Sequence, residues 1–202
     1  MIPILVAGAL ALLSVAFLPW YVYLPMIILA VFVTAFFRNP ERRIPSDPGA
    51  VVSPADGRVV FVGEVTEDRY LKAPAKKISV FMSVFNVHVN RVPFSGTVEQ
   101  VDYNPGKFLV ASKDKASLDN EQNAVLLKAD RERRVLVIQI AGMVARRIVC
   151  YLKAGDRAEI GKRFGLIMFG SRLDLFLPPE AEVLVSVGDH VRGGSSIVGR
   201  MP

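Results

Sequence analysis

The hydrophobic pattern divides the chain at about residue 37. No charged side chain occurs before Arg38. One helix over residues 1–37 would be about 55 Å long, whereas the hydrocarbon core of a bilayer is roughly 30 Å thick. Pro19 interrupts this stretch and leaves two apolar segments, about residues 2 to 18 and 21 to 37, each close to the shortest length that crosses a bilayer. The pattern therefore predicts a hydrophobic helical hairpin over residues 1–37, which either spans the membrane or enters it as a re-entrant hairpin.

The residues around this stretch indicate the side of the membrane on which the rest of the chain lies. Lys and Arg favour the cytoplasmic side, and aromatic side chains collect at the interfaces. The basic group after the hairpin is Arg38, Arg42 and Arg43, and the aromatic group at its turn is Trp20, Tyr21 and Tyr23. We therefore expect the following domain on the cytoplasmic side of the cell membrane. A cleaved signal peptide fits less well, because a charged n-region is missing and the apolar stretch is too long.

From residue 38 onward the pattern changes to short β-rich runs separated by Gly, Asp and Pro. The predicted strands are residues 57 to 62, 77 to 83, 96 to 103, 124 to 128, 135 to 140 and 148 to 152. Turns such as the one at Asp56 and Gly57 resemble those of barrel-sandwich hybrid domains, the fold of biotinyl and lipoyl carriers. The predicted fold class is therefore mainly β: a barrel-sandwich-hybrid-like domain over residues 38–202, preceded by the helical hairpin.

The composition limits the chemistry. Hydrophobic residues make up 51% of the 202 residues, and the excess sits in the N-terminal stretch. The single Cys150 cannot form an intramolecular disulfide or a thiolate cluster, and only His88 and His190 are available for a histidine site, so no metal is predicted. The net charge of +6 fits a membrane partner. A basic stripe interleaved with aromatic residues is missing, so no nucleic acid is predicted.

A Gly-Ser pair, Gly170 and Ser171, lies between two apolar runs, which by itself is typical of a turn or bulge. Three upstream segments change this interpretation: Val-Ser-Pro-Ala-Asp-Gly at 52 to 57, Phe-Asn-Val-His-Val-Asn-Arg-Val-Pro at 85 to 93, and Tyr-Asn-Pro-Gly at 103 to 106. In this order and spacing they resemble the short form of the phosphatidylserine decarboxylases. The resemblance extends from about residue 36 to the C-terminus, and a hydrophobic leader is also typical of that family.

The resemblance implies a proenzyme that cleaves itself between Gly170 and Ser171. Gly170 leaves its carbonyl unhindered, and the Ser171 hydroxyl can attack that carbonyl once a base takes its proton. In this family the serine becomes a pyruvoyl group, which condenses with the substrate amine, so no external cofactor is needed. The products would be a heterodimer of residues 1–170 and 171–202. Apolar side chains would keep the short chain bound: Leu173, Leu175, Phe176, Leu177, Val183, Val185, Val191, Ile197 and Val198.

The substrate and assembly also follow from the resemblance. The expected reaction converts phosphatidylserine, or an analogous ether-linked serine phospholipid, to the ethanolamine phospholipid and carbon dioxide. A membrane anchor would hold the site at the headgroup plane, where amine, carboxylate and phosphate are presented together. A homodimer of the processed chains would match the family.

The resemblance further assigns roles to individual side chains. His88 would carry protons, since imidazole both accepts and donates near neutral pH, and Asp56 would orient it in a relay of Ser171, His88 and Asp56. For Asp56 a hairpin turn with Gly57 is the alternative. The arginines expected to contact the lipid phosphate, each of which has a solvated surface role as its alternative, are Arg91, Arg146, Arg147 and Arg172.

Two features depart from the pattern of the longer bacterial members. The processing site has Phe-Gly-Ser-Arg at 169 to 172, where those members have Leu-Gly-Ser-Thr. The segment from 86 to 93 holds one histidine where they have two, and Arg91 stands at the position of one of these. Either His88 serves both self-cleavage and decarboxylation, or Arg91 replaces one histidine through its charge.

Other interpretations of the sequence remain. Cleavage at a second Gly-Ser site, before Ser195, would leave only residues 195–202, about one strand and a poor anchor, so Ser171 is favoured. The main functional alternative is a membrane-tethered barrel-sandwich binding or adaptor domain without catalysis. A biotinyl or lipoyl carrier needs a lysine at an exposed hairpin tip, where neither Lys153 nor Lys162 is expected. A serine hydrolase would need a Gly-x-Ser-x-Gly elbow around its nucleophile.

Overall fold

The chain folds into two compact units, Met1–Pro40 and Glu41–Pro202. This computed structural model describes residues 2–106, 120–129, 133–142, 147–168 and 171–202. The first unit is helical, and every strand described belongs to the second. The predicted fold class, mainly β after two N-terminal helices, is therefore confirmed.

The N-terminal unit contains α1 (Ile2–Phe17) and α2 (Trp20–Phe36), which pack against each other. Pro19 is the N-cap of α2, and its ψ of 155° turns the chain out of the helical conformation. Proline also removes a hydrogen bond from the helical ladder. The predicted break between two apolar helices thus falls where the sequence placed it.

Neither helix carries a charged side chain, and they contain 16 and 17 residues. Two hydroxyl groups bond to the backbone of their own helix, Ser14 Oγ to the Ala11 oxygen at 2.7 Å and Thr34 Oγ1 to the Ala30 oxygen at 2.8 Å. Such bonds satisfy a hydroxyl within an apolar helix. Within the part of the chain that the structure describes, no helix combines the length and the hydrophobicity needed to span a membrane.

The second unit consists of antiparallel sheets that curl into a half-barrel. The strands are β1 Ala50–Val52, β2 Gly57–Glu67, β3 Ala73–Met82, β4 Val89–Arg91, β5 Gly96–Asn104, β6 Gln122–Lys128, β7 Arg134–Ala141, β8 Ile148–Cys150, β9 Arg157–Ala158, β10 Arg163–Ile167, β11 Ser171–Leu177, β12 Glu182–Val183, β13 His190–Val191 and β14 Ile197–Arg200. The large sheet has eight strands in the order β13-β2-β3-β11-β7-β6-β5-β9, and two small sheets have the orders β1-β14-β12 and β4-β10-β8.

β11 occupies the centre of the large sheet. It pairs with β3 and β7, beginning with Ser171 opposite Met82 and Ala141. Successive side chains of a strand point to opposite faces, so β11 contributes to two hydrophobic clusters. Its side chains in the main core are Leu173, Leu175 and Leu177, whereas Phe176 packs on the other face. The strand that begins at Ser171 is therefore buried on both faces.

The β2-β3 hairpin closes at the end of the sheet that lies away from Ser171. The carboxylate of Glu67, at the end of β2, accepts backbone N–H groups from Arg69, Tyr70 and Leu71 at 3.1, 2.8 and 2.6 Å. Glu67 thereby satisfies the backbone donors of the turn. The hairpin is longer than predicted, since β2 was expected to end near residue 62.

Candidate active site

Ser171 is the first residue of β11 and is fully buried. Its cross-strand neighbours are Met82 on β3 and Ala141 on β7. The Ser171 Oγ is buried and makes no hydrogen bond to the described residues. Buried hydroxyl groups are normally paired, so this one calls for an explanation. Gly170, the other half of the predicted cleavage site, and Phe169 lie outside the described residues.

His88 lies beside the strand that leads to Ser171. The Ile167 N–H, at the end of β10, approaches the His88 carbonyl oxygen at 3.4 Å, and β10 pairs with β4, which begins directly after His88. The His88 residue is 2% exposed. The three-stranded sheet β4-β10-β8 thus places His88 next to the upstream side of the predicted processing site.

The orientation of the His88 ring is set by Asn86. His88 Nδ1 lies 2.9 Å from the Asn86 carbonyl oxygen. Because a carbonyl oxygen only accepts, the neutral ring carries its proton on Nδ1, and Nε2 has the basic lone pair. Asn86 is in turn fixed by Ser83, whose N–H and Oγ donate to Asn86 Oδ1 at 2.9 and 2.8 Å. A short turn therefore selects one tautomer of the histidine.

Asp56 binds two other groups. Its Oδ2 accepts from Arg42 Nη2 at 2.7 Å, and its Oδ1 accepts the Gly193 N–H at 2.8 Å. These contacts tie the segment before β2 to the C-terminal turn. The role of Asp56 in orienting His88 stays a prediction, and its contacts support an anchoring role instead.

The same region holds Arg91, which is 5% exposed. Arg91 Nη1 donates to the Gly161 carbonyl oxygen at 2.9 Å. Burial, together with the nearby charges of Arg163 and Arg42, lowers the pKa of Arg91. Gly194 has a φ of +75°, and a Cβ at that residue would lie 2.6 Å from Arg91 Cδ. Arg91 therefore packs closely against the C-terminal glycine turn, and its contact with a lipid phosphate stays a prediction.

Arg172 points to the opposite face of the sheet from Ser171, because adjacent residues of a strand alternate. Arg172 Nε lies 2.9 Å from Asp174 Oδ1, and Lys77 Nζ lies 2.9 Å from Asp174 Oδ2. Arg172 and Asp174 are 3% and 1% exposed. The charge of Arg172 is thus balanced within the fold, so its position does not favour the predicted role in binding lipid phosphate.

Among the predicted arginines that the structure describes, Arg147 has the most accessible position. Its side chain is exposed, its carbonyl oxygen accepts the Met168 N–H at 3.2 Å, and its charge opposes the rise in the pKa of Tyr103. Burial and a hydrogen bond to Glu121 are the causes that raise that pKa. Arg147 therefore lies near the chain segment that leads to Ser171. Arg146 lies outside the described residues.

Sequence reasoning missed a set of buried polar side chains near this site. Asn120 Nδ2 donates to the Ala141 carbonyl oxygen at 2.7 Å, and Ala141 is the neighbour of Ser171. Glu121 accepts from the Tyr103 hydroxyl at 2.9 Å and the Ile148 N–H at 3.2 Å. In the sequence these residues belong to the polar run Asn-Glu-Gln-Asn at 120 to 123. Such a run suggests an exposed loop, whereas the structure buries all four side chains.

The second Gly-Ser segment forms a hydrogen-bonded turn. The Gly194 N–H donates to the Ser53 carbonyl oxygen at 2.8 Å, and the N–H groups of Ser195 and Ser196 donate to the Arg192 carbonyl oxygen at 3.1 and 3.0 Å. A turn before β14 is the structural role that the sequence suggested for it. Across the described ranges, no group of histidine, cysteine or acidic side chains has the arrangement of a metal site.

The fold and the site define a mainly β domain with a buried serine at the head of its central strand and a histidine beside the preceding strand. Residues 29–199 match the phosphatidylserine decarboxylase family. The phosphatidylserine decarboxylase proenzyme of Syntrophus aciditrophicus is 48% identical over 201 residues, covering 98% of this chain and 94% of the relative. The chain therefore belongs to the phosphatidylserine decarboxylase family, and the resemblance found in the sequence is confirmed.

Two further relatives show the same extent of similarity. The phosphatidylserine decarboxylase proenzyme of Geotalea uraniireducens is 50% identical over 188 residues, which cover 93% of this chain and 88% of the relative. That of Neisseria meningitidis serogroup C is 48% identical over 201 residues, which cover 99% of this chain and 75% of the relative. The similarity therefore includes the helical unit as well as the β domain.

Proposed function

We propose that this chain is a proenzyme that cleaves itself between Gly170 and Ser171 and then decarboxylates phosphatidylserine. The observation that carries the proposal is the position of Ser171, whose buried Oγ has no hydrogen-bond partner among the described residues. Burying a hydroxyl without a partner costs free energy, so the position needs a compensating function. Membership of the family and the nearby His88 support the same reaction.

In the proposed self-cleavage, Ser171 Oγ forms a bond to the Gly170 carbonyl carbon as its proton passes to a base. The amide bond then breaks as the base returns the proton to the Ser171 nitrogen, which becomes a free amine and leaves the Gly170 acyl group as an ester on the Ser171 oxygen. His88 is the proposed base, because Nδ1 donates to Asn86 and leaves the lone pair on Nε2.

Loss of the Ser171 α-proton then expels the Gly170 carboxylate by β-elimination. One water molecule hydrolyses the resulting dehydroalanine, and ammonia leaves. The products are residues 1–170, ending in a carboxylate, and residues 171–202, beginning with a pyruvoyl group.

The two products would stay associated, because the short chain is built into the sheets. β11 lies between β3 and β7, β14 pairs with β1, and Asp56 holds the Gly193 N–H. Each buried apolar side chain of β11 contributes roughly 1.5 to 3 kcal/mol. The active form is thus proposed to be a heterodimer of chains cut from one precursor.

The residues around Ser171 fit a pyruvoyl group made from that serine. A pyruvoyl group supplies a carbonyl that withdraws the electrons left when carbon dioxide departs from the headgroup. His88 would protonate the α-carbon of the product, and the burial of Ser171 would exclude competing water. Arg147 is the arginine proposed to contact the lipid phosphate, since its side chain is exposed near the site.

The proposed setting is the cytoplasmic side of the cell membrane, with residues 1–37 as the hydrophobic membrane hairpin and 38–202 as the decarboxylase domain. The basic residues that follow the hairpin support this orientation. Arg42 also bonds to Asp56, so one of these charges has a structural role as well. Assembly into a homodimer of the processed chains is proposed from the family resemblance alone.

Intact-mass measurement of the purified protein tests self-cleavage. The expected result is two chains divided after Gly170, with the chain of residues 171–202 lighter than its encoded mass by one ammonia. Ser171→Ala should stay whole, and the matched control Ser195→Ala should cleave like the wild type. A wild-type chain of full mass would refute the proposal and favour the membrane-tethered binding domain. Cleavage lost in Ser195→Ala alone would move the site to the C-terminal turn.

Release of carbon dioxide from serine phospholipid vesicles tests the second step. Phosphatidylserine should give carbon dioxide and the ethanolamine phospholipid with the processed wild type and not with Ser171→Ala. An ether-linked serine phospholipid, tested in parallel, determines whether substrate recognition depends on the headgroup alone. Processed protein that releases no carbon dioxide from either lipid would refute the proposed substrate.

A further inference from the structure

Glu121 is a buried carboxylate that the proposed chemistry does not use. It is 3% exposed and directly precedes β6. Its Oε1 accepts the Tyr103 hydroxyl at 2.9 Å and the Ile148 N–H at 3.2 Å, and its carbonyl oxygen accepts the Ala141 N–H at 2.9 Å. One residue therefore bonds to β5, β7 and β8.

Two of these contacts lead to the two sides of the proposed cleavage site. On the upstream side, Ile148 pairs with Ile167, the last residue of β10. On the downstream side, Ala141 pairs with Ser171, the first residue of β11. β10 belongs to a three-stranded sheet and β11 to the eight-stranded sheet, so the chain changes sheets across the processing bond. Glu121 therefore bonds to Ile148, the pairing partner of Ile167, and to Ala141, the pairing partner of Ser171.

Glu121 also shares a sheet face with Ser171. Asn123 and Gln139 join their side chains at 2.9 Å on one face of the β6-β7 pair. Because side chains alternate along a strand, Glu121 and Ala141, each two residues away, point to that face, and Ser171 opposite Ala141 does too. Two strand spacings separate the Cα atoms of Glu121 and Ser171, roughly 10 Å. Glu121 is thus close to the reacting groups without touching them.

We propose that Glu121 is a positioning residue for self-cleavage, which holds the strands on either side of the Gly170–Ser171 bond in register. The inference rests on the proposed function. Intramolecular attack requires reacting atoms held about 3 to 3.5 Å apart, and a displacement of about 1 Å can cost 100-fold in rate. The Glu121 side chain fixes the upstream strand through its bond to the Ile148 N–H, and the backbone carbonyl of the same residue fixes the downstream strand through Ala141, supported by Asn120. Substitutions at Glu121 therefore remove the upstream bond and keep the downstream one.

The test follows cleavage of the full chain made by cell-free synthesis with liposomes, measured over time by gel and intact mass. Glu121→Ala should slow cleavage about 10- to 100-fold. Glu121→Gln keeps an oxygen acceptor at the same position and should cleave within about threefold of the wild type, since the bond to the Ile148 N–H is retained. Glu121→Asp, which is one methylene shorter, should be slow even though its charge is kept.

The matched control is Glu67→Ala. Glu67 is also a nearly buried carboxylate that accepts backbone N–H groups, but it closes the distant β2-β3 turn. Thermal unfolding of Glu121→Ala and Glu67→Ala, each combined with Ser171→Ala, compares their stability in uncleaved chains. Glu67→Ala should lose stability and still cleave at the wild-type rate. The contrast separates positioning from a general loss of folding.

Three results would overturn the role of Glu121: Glu121→Asp or Glu121→Ala that cleaves at the wild-type rate, Glu121→Gln as slow as Glu121→Ala, or Glu67→Ala slowed as much as Glu121→Ala. A failure of the proposed function itself is distinguishable, because the wild-type chain would then stay uncleaved in the same assay. Cleavage of the wild type together with rapid Glu121 variants would refute only the positioning role.

Discussion

Gln139 Nε2 donates to Asn90 Oδ1 at 2.8 Å, and this bond joins the central sheet to the small sheet next to His88. Gln139 lies on β7 and Asn90 on β4, and both residues are fully buried. Gln139 Oε1 accepts from Asn123 Nδ2 at 2.9 Å. Both the nitrogen and the oxygen of the Gln139 side-chain amide are therefore hydrogen-bonded. Buried polar networks of this kind are stabilising only while every member is satisfied.

Gln139→Leu should therefore destabilise the fold by about 1 to 3 kcal/mol, because Asn90 and Asn123 would each lose a buried partner. Chemical denaturation in the Ser171→Ala background measures the free energy of unfolding of a single uncleaved chain. Gln100→Leu is the matched control, since Gln100 is exposed on β5, and it should change that free energy by less than about 0.5 kcal/mol. Equal effects of the two substitutions would contradict the role of the network.

The fold was predictable where local pattern decides it. The uncharged N-terminal stretch and Pro19 predicted two helices, and the six predicted β-rich runs overlap β2, β3, β5, β6, β7 and β8. Short strands such as β4 and β13 were missed because they have two or three residues and are defined by their partners. Pairing partners that lie far apart in the sequence leave no periodic signal in either segment.

Only part of the candidate site was predictable from the sequence, because several of its contacts join residues that lie far apart in the chain. The Gly-Ser pair and the segment around His88 stand out in the sequence, whereas the pairing of Asp56 with Arg42 and Gly193 depends on residues brought together by folding. The polar residues 120 to 123 suggest a loop, because their buried partners are supplied by β5, β7 and β8. The sequence likewise suggests an exposed Arg172. It does not show that Asp174, two residues further along the strand and on the same face, pairs with it.

Asp174 is expected to be among the side chains most sensitive to substitution. It is 1% exposed and lies between Arg172 and Lys77. Asp174→Ala removes a negative partner that both Arg172 and Lys77 contact and leaves the Arg172 charge buried, a type of change that costs about 3 to 5 kcal/mol. Thermal unfolding in the Ser171→Ala background measures this loss of stability. The control is Glu99→Ala, which breaks the more exposed pair with Arg134.

The Glu99 variant should change stability by no more than about 1 kcal/mol. Similar losses for the Asp174 and Glu99 variants would mean that the buried charges are balanced in another way.

Arg147→Ala is expected to weaken the binding of phosphatidylserine rather than the fold. The exposed Arg147 side chain can form charge-assisted hydrogen bonds to a phosphate, each worth about 1.5 to 3 kcal/mol, so KM should rise about tenfold or more with a smaller change in kcat. Kinetics on mixed vesicles measures both constants. Arg157→Ala, at another exposed arginine on β9, is the control and should leave KM within about twofold. A rise in KM of the same size for both variants would indicate a general surface charge effect.

The stability of the fold is expected to depend on pH through the thiol of Cys150. Burial raises the pKa of the Cys150 thiol above its ordinary value of about 8.5. A raised pKa in the folded state means that the neutral thiol is favoured there, so this contribution to stability is complete below about pH 8.5 and is lost as the pH rises through the folded pKa. In the uncleaved Ser171→Ala background, the free energy of unfolding of the chain with Cys150 should therefore fall more steeply between pH 8 and pH 10 than that of the chain that also carries Cys150→Ala. Tyr70 and Tyr103 also have raised pKa values, but they are present in both proteins and cancel in the comparison. Parallel pH profiles for the two proteins would show that the thiol keeps its ordinary pKa in the fold.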